Sequence, residues 1–216
     1  MGSSSRHSTV SARARGLRGH ARLAVAALAG CALLLPLEGA SAQDVRVGGA
    51  ALLVSSRYDG PPVVDFDRRS GFGAEGFVDV VTPLAPLEVR AGARFVRRGG
   101  DEMGGGGAEI DWLGFPIALG PRLRRGPVSA IALGGVEVAY PVASRRSADL
   151  ESGFAEVART GVSGLIGAEL ALELHGGWRV GVESRWVREF TAAFEGSVGR
   201  LHTRAHEWSI RISRAR

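Results

Sequence analysis

What narrows this chain's options most is a period of two held over long segments. In LEVRAGARFVR, residues 87–97, one alternate set is Leu87, Val89, Ala91, Ala93 and Phe95, and the other contains Glu88, Arg90 and Arg94. Successive side chains on a strand point to opposite faces, so one face is continuously apolar and the other charged. Residues 161–174 repeat this, with Val162, Ile166, Leu170 and Leu172 opposed to Ser163, Glu169 and Glu173. So does 178–190, where Trp178, Val180, Val182, Ser184 and Trp186 oppose Arg179, Glu183 and Arg185. In 201–213, Trp208, Ile210 and Ile212 oppose Glu207, Ser209 and Arg211. A half-exposed soluble sheet alternates in the same way. The period therefore fixes strands, and other features must say which solvent meets each face.

Connection lengths are the first such feature. Gly and Pro punctuate eight expected strands, at 44–56, 72–82, 87–98, 108–119, 128–140, 161–174, 178–190 and 201–213. Short connections (83–86, 120–127, 175–177) alternate with longer ones (57–71, 99–107, 141–160, 191–200). An up-and-down transmembrane barrel has this asymmetry, with short periplasmic turns, longer external loops and an even strand number. Strands of about 9–11 residues cross a membrane when tilted, whereas globular strands average about 5–6. The expected fold is all-β, an eight-stranded antiparallel up-and-down transmembrane β-barrel filling residues 43–216.

Aromatic placement is the second. Phe72, Phe95, Trp112, Tyr140, Trp178, Trp186, Phe190 and Trp208 fall on the apolar phase, as an aromatic girdle requires. Phe77 and Phe115 read as inward. The charged phase then faces a lumen just wide enough for side chains to fill. An internal ion-pair network is expected from Glu75, Asp79, Glu88, Arg90, Arg94, Asp111, Glu137, Glu169, Glu173, Glu183, Arg185, Glu207 and Arg211, since buried charges persist only when paired. The alternative is a secreted lipocalin-like barrel carrying a small apolar ligand, which needs an apolar interior and a polar exterior.

The N-terminus reads as a secretory signal over residues 1–42. Arginines precede an apolar run, LAVAALAGCALLLPL, and Ala40-Ser41-Ala42 is a small-x-small cleavage site. Leu28-Ala29-Gly30-Cys31 offers a lipobox instead, but the apolar residues after Cys31 favour cleavage after Ala42. The formal charge of +5 suggests a nucleic-acid binder at first sight; the leader holds +4 of it, which leaves +1 for the remaining 174 residues. No nucleic-acid partner is expected.

Chemistry-bearing motifs are sparse. His202 and His206 share a strand face roughly 13 Å apart, too far for one metal ion. Ser209 has the opposite phase, so it forms no dyad with them. GGDEMGGGG, residues 99–107, lacks the Asp-x-Asp spacing of a calcium loop and precedes no helix. No catalytic, cofactor or metal site is expected. Arg97, Arg188 and Arg204 fall on the outward phase near the external rim, where arginine either pairs with lipid phosphates, including lipopolysaccharide, or snorkels without a ligand.

The segment Ile110-Asp111-Trp112-Leu113-Gly114-Phe115-Pro116-Ile117, with the Gly-rich Val47-Gly48-Gly49-Ala50 and Ala132-Leu133-Gly134-Gly135, resembles the small outer-membrane β-barrel proteins of the OmpA-like and PorT-like type over residues 44–213. The resemblance implies that fold and the outer membrane, with no catalytic residues to transfer. Such barrels often end in an aromatic residue that helps insertion; this chain ends Ile212-Ser213-Arg214-Ala215-Arg216. The expected protein is a non-enzymatic monomer of the outer membrane. Its role would be structural or recognition through external loops, and its partners the membrane lipid, plus periplasmic chaperones and the barrel-insertion machinery during biogenesis.

Overall fold

A computed structural model describes residues 44–61, 66–82, 86–102, 106–147, 156–197 and 199–216. The expected leader, with Cys31 and the cleavage site, lies outside the described residues. Ten strands follow in order: β1 (Asp44–Asp59), β2 (Phe66–Val81), β3 (Leu87–Glu102), β4 (Gly106–Arg125), β5 (Val128–Arg146), β6 (Glu156–Val157), β7 (Gly161–Glu173), β8 (Trp178–Glu189), β9 (Phe194–Gly196) and β10 (Gly199–Ala215). The eight long ones pair antiparallel with their sequence neighbours. The ring closes through β1 and β10, from Arg46↔Ala215 to Asp59↔His202. The two-residue β6 and three-residue β9 make a small ribbon continuing the outer end of β10.

Local chemistry explains the turns and the gaps. β4 and β5 are joined by Gly126-Pro127, with Gly126 at φ 59°. A positive φ at the first central position is what two-residue hairpins demand, and glycine adopts it without penalty. Pro116 and Pro121 lie inside β4 and have no N–H to give. The β3–β4 ladder is interrupted between Ala91↔Ile117 and Arg94↔Gly114, and the β4–β5 ladder between Leu119↔Gly134 and Arg122↔Ile131. Further up, Asp111 pairs with Ala143 and Trp112 with Pro141, which leaves Val142 as a bulge beside a proline.

The interior is charged. Eight arginines are buried among the described residues: Arg46, Arg90, Arg94, Arg98, Arg122, Arg179, Arg185 and Arg211. Arg90 reaches three strands at once. Its Nε donates to Asp79 at 2.6 Å, its Nη1 to Glu183 at 2.8 Å and its Nη2 to Glu169 at 2.7 Å. Glu183 also meets Arg185 at 2.7 Å and Arg211 at 2.9 Å. Towards the short turns, Glu173 takes Arg46 and Arg122, each at 2.6 Å. Nearer the loops, Glu207 and Glu137 hold Arg94 and Arg98 between them. Phe77 is the one large ring in this zone. It lies under Arg211, whose guanidinium carbon is 3.8 Å from the ring centroid, a cation–π contact that keeps an inward aromatic compatible with charge. All eight long strands contribute to this lattice.

Above the charges, the loop end of the lumen is closed by apolar side chains. Tyr58, Phe66, Val96, Ile110, Trp112, Ala193, Phe194 and Leu201 are all buried there. Tyr58 meets Phe66 and Phe194 edge-on, at 5.5 and 5.4 Å between centroids. The outer surface is the reverse of a soluble protein's. Leu53, Ile117, Leu119, Ile166, Leu170, Val182, Ile210 and Ile212 stand 50–71 % exposed around the ring. Apolar patches of that extent mark contact with membrane or partner. A barrel with no free edge satisfies every backbone group within itself, the condition for crossing lipid. The carrier alternative fails on both counts, since it needs the apolar face inside.

Replacing Arg90 by Met would leave Asp79, Glu169 and Glu183 short of their shared cation. The expected loss is about 3–5 kcal/mol, read as a lower urea midpoint for the protein refolded in detergent. Arg125→Met, on an exposed turn, should stay within about 0.5 kcal/mol.

Candidate lipid-facing site

Most of the residues expected in the lumen meet there: Glu75, Asp79, Glu88, Arg90, Arg94, Glu137, Glu169, Glu183, Arg185, Glu207 and Arg211 are buried in the interior, and Glu173 lies at its turn end. Asp111 does not join them. Its carboxylate accepts from Arg97 Nε at 2.6 Å and Nη2 at 3.1 Å, on the outer side of the barrel's loop end. Trp112, expected in the girdle, is buried in the interior at 1 % exposure, and Phe115, expected inward, is 37 % exposed and meets Tyr140 edge-on. One cause accounts for all three. A charge marks the lumen only along the charged zone; Asp111 sits at the loop end, where the inner face is the apolar cap and the carboxylate pairs with Arg97 on the outer face. Arg46, Arg98, Arg122 and Arg179 belong to the lattice although the alternation alone did not single them out.

The other aromatic residues face outward. Trp178 opens β8 at the short-turn end, and Phe190 directly follows β8 at the loop end. Tyr140, Trp186 and Trp208 are about half exposed, and Trp208 lies in the middle of β10. Phe95 is partly covered on the same face. Gly164 makes room for Phe190: a Cβ there would come within 2.7 Å of the ring.

The three rim arginines differ. Arg97 is engaged by Asp111 and lies 5.0 Å from the Phe72 ring centre. Arg204 is ion-paired with Asp59, which also meets Arg57 at 3.5 Å. Arg188 has no carboxylate partner among the described residues, nor has Arg68. Arg57, Arg68, Arg188 and Arg204 line one open groove of about 650 Å³ on the outside of the barrel, whose apolar wall includes Ile166, Trp186 and Phe190. Cations beside an apolar trough suit an amphiphile with an anionic head.

The same groove contains His206. Its Nε2 is 2.9 Å from Ser184 Oγ, and its ring stacks on Trp186 at 4.6 Å between centroids with 19° between planes. Trp208, two residues along β10, meets the ring tilted, at 5.0 Å between centroids and 59° between planes. Ser184 lies on the outward phase of β8, and strand register sets it diagonal to His206, since Ser184 pairs with Trp208 and Trp186 with His206. Phase separates Ser209 from the histidines, and it is buried inside. Only the β8–β10 register could have brought Ser184 to attention. His202 Nδ1 is 3.1 Å from the Thr191 carbonyl and forms no part of the pair. No cluster of metal-ligating side chains occurs among the described residues.

Comparison with solved structures agrees with the fold. The outer membrane protein OprG of Pseudomonas aeruginosa superposes with a TM-score of 0.58 at 11 % identity, over 84 % of this chain and 99 % of that one. The attachment invasion locus protein Ail of Yersinia pestis, solved with the heparin analogue sucrose octasulfate, gives 0.46 at 14 % identity, over 80 % and 99 %. Neisserial surface protein A gives 0.46 at 13 % identity, over 82 % and 99 %. No protein-family profile matches the chain, and no curated protein matches its sequence. The class that fold and surface define is a closed eight-stranded membrane β-barrel.

Single-tryptophan variants test the two-faced assignment. Trp208 alone should be quenched strongly by lipids brominated on the acyl chain, whereas Trp112 alone should resist both brominated lipid and aqueous iodide. Equal quenching of the two would reverse the phase assigned to β4.

Proposed function

We propose that this chain is a resident of the Gram-negative outer membrane whose work is done at its outer surface and loops. The observation that carries this reading is the combination of a continuous apolar exterior with an interior filled by paired charges and capped by Tyr58, Trp112 and Phe194. Among the described residues this filling supports a closed lumen rather than a diffusion pore. The protein's role is structural or one of recognition, and it acts as a monomer after delivery by periplasmic chaperones and the insertion machinery.

The partner this reading assigns is anionic membrane lipid, lipopolysaccharide included. Arg188 and Arg68 carry it, because they lack carboxylate partners among the described residues; Arg97 and Arg204 are already engaged. Two-fold replacement, Arg68→Gln with Arg188→Gln, should lower the lipopolysaccharide phosphate retained per protein severalfold after detergent washing. Unchanged retention would reduce both side chains to snorkelling cations.

Planar-bilayer recording tests the closed lumen. The wild-type protein should insert without steady conductance, and long-lived channels of uniform size would overturn the reading.

A further inference from the structure

We infer that Ser184 and His206 form a nucleophile–base pair acting on acyl esters of outer-leaflet lipids, an activity beyond the recognition role above, though it rests on the same lipid-facing assignment. The two side chains lie on neighbouring strands, β8 and β10, on the face that meets lipid. The hydroxyl is 2.9 Å from Nε2, the distance at which a base takes the proton of an attacking hydroxyl. Trp186 stacked on one side and Trp208 tilted against the ring hold the imidazole plane. A polar pair on a membrane strand has a purely structural use, since each group satisfies the other in an apolar medium. Its surroundings point further. His206 lines the groove whose apolar wall and arginines fit an acyl chain with an anionic head.

Depth decides which lipid atoms the pair can meet. Arg188 and Arg204 pair across β8 and β10 and mark the head-group level. His206 lies two residues inward from Arg204, roughly 7 Å along the strand, and Ser184 four inward from Arg188, roughly 13 Å. Both distances shorten along the membrane normal because the strands tilt. Ser184 pairs with Trp208 in the middle of β10, so an acyl ester must sink below the head-group level to reach the pair, which slows turnover.

The reaction balances with water as co-reactant. Ser184 Oγ attacks the ester carbonyl carbon while its proton passes to His206 Nε2. The tetrahedral adduct collapses, the carbon–oxygen bond to the head group breaks, and His206 returns the proton to the leaving alcohol. A water molecule, deprotonated by His206, then attacks acyl-Ser184, releasing the fatty acid and restoring the hydroxyl. The residue across from His206 on β1 is Ser55, not a carboxylate. Losing the carboxylate of a Ser–His–Asp triad costs about 10⁴ in kcat. Turnover here is therefore slow, and covalent capture is the primary readout.

The test uses the protein refolded in detergent and an alkyl fluorophosphonate probe. The expected result is a single adduct on Ser184, absent from Ser184→Ala, and slowed about 100-fold or more in His206→Gln. Both variants should keep the mobility shift of the folded barrel on unboiled gels. Mixed micelles of phosphatidylglycerol and of lipid A then separate the two ester sources by which of them releases fatty acid. A folded wild type with no adduct and no release from either lipid would overturn the inference and leave the pair structural. Folding in plain buffer without detergent would instead defeat the lipid-facing reading beneath it.

Discussion

Closing the sheet on itself is the constraint from which the rest follows. Once β1 pairs with β10, every long strand has two neighbours and no row of backbone groups is left open. An eight-stranded ring encloses a space that side chains can fill and water cannot cross in bulk. The period-two pattern then has one physical solution. The charged phase goes where partners are within reach across the lumen, and the apolar phase goes where there is lipid. Arg90 shows why the ring must be closed. Its three shortest bonds run to Asp79 on β2, Glu169 on β7 and Glu183 on β8, strands that an open sheet of this order would hold far apart.

The interior is stable because its charges are shared rather than paired one to one. Glu183 serves Arg90, Arg185 and Arg211, and Glu207 serves Arg94 and Arg98. A lone buried ion pair scarcely offsets the desolvation of its two members. In this lattice Arg90, Glu183 and Glu207 each gain two or more partners, and the arginine fork is suited to that. The absence of disulfides in the described barrel fits the same picture, with cross-strand charge contacts and backbone ladders around a closed ring doing the fastening.

Much of this was legible from alternation alone. The strands at 87–98, 161–174, 178–190 and 201–213 have the phases read from their charges, and the expected boundaries differ from the observed ones mainly at the loop ends, where strands run on by several residues. β4 shows where the method stops. Asp111 reads as a lumen residue because it is charged, yet at the loop end the lumen is apolar and the charge pairs with Arg97 on the outer face. Ile110 and Trp112 instead turn inward to build the apolar cap. The β6–β9 ribbon was hidden in loops without a period. Ser184 was hidden differently. Phase placed it outside correctly, but only cross-strand register shows that His206 is its neighbour, and register depends on closure rather than on any local signal.

These features make the outer surface the functional face. The described interior is filled by charges and an apolar cap, whereas one outer groove sets Arg68 and Arg188 beside an apolar wall and His206, whose Nε2 meets Ser184.

The most direct test of the central claim is heat modifiability. Residues 43–216 would be refolded into detergent micelles and run on a gel with and without boiling. The structure predicts a compact, fast-running band that slows on boiling, with β-rich circular dichroism, and aggregation when detergent is withheld. A soluble, folded monomer without detergent would contradict the assignment of the apolar face to lipid.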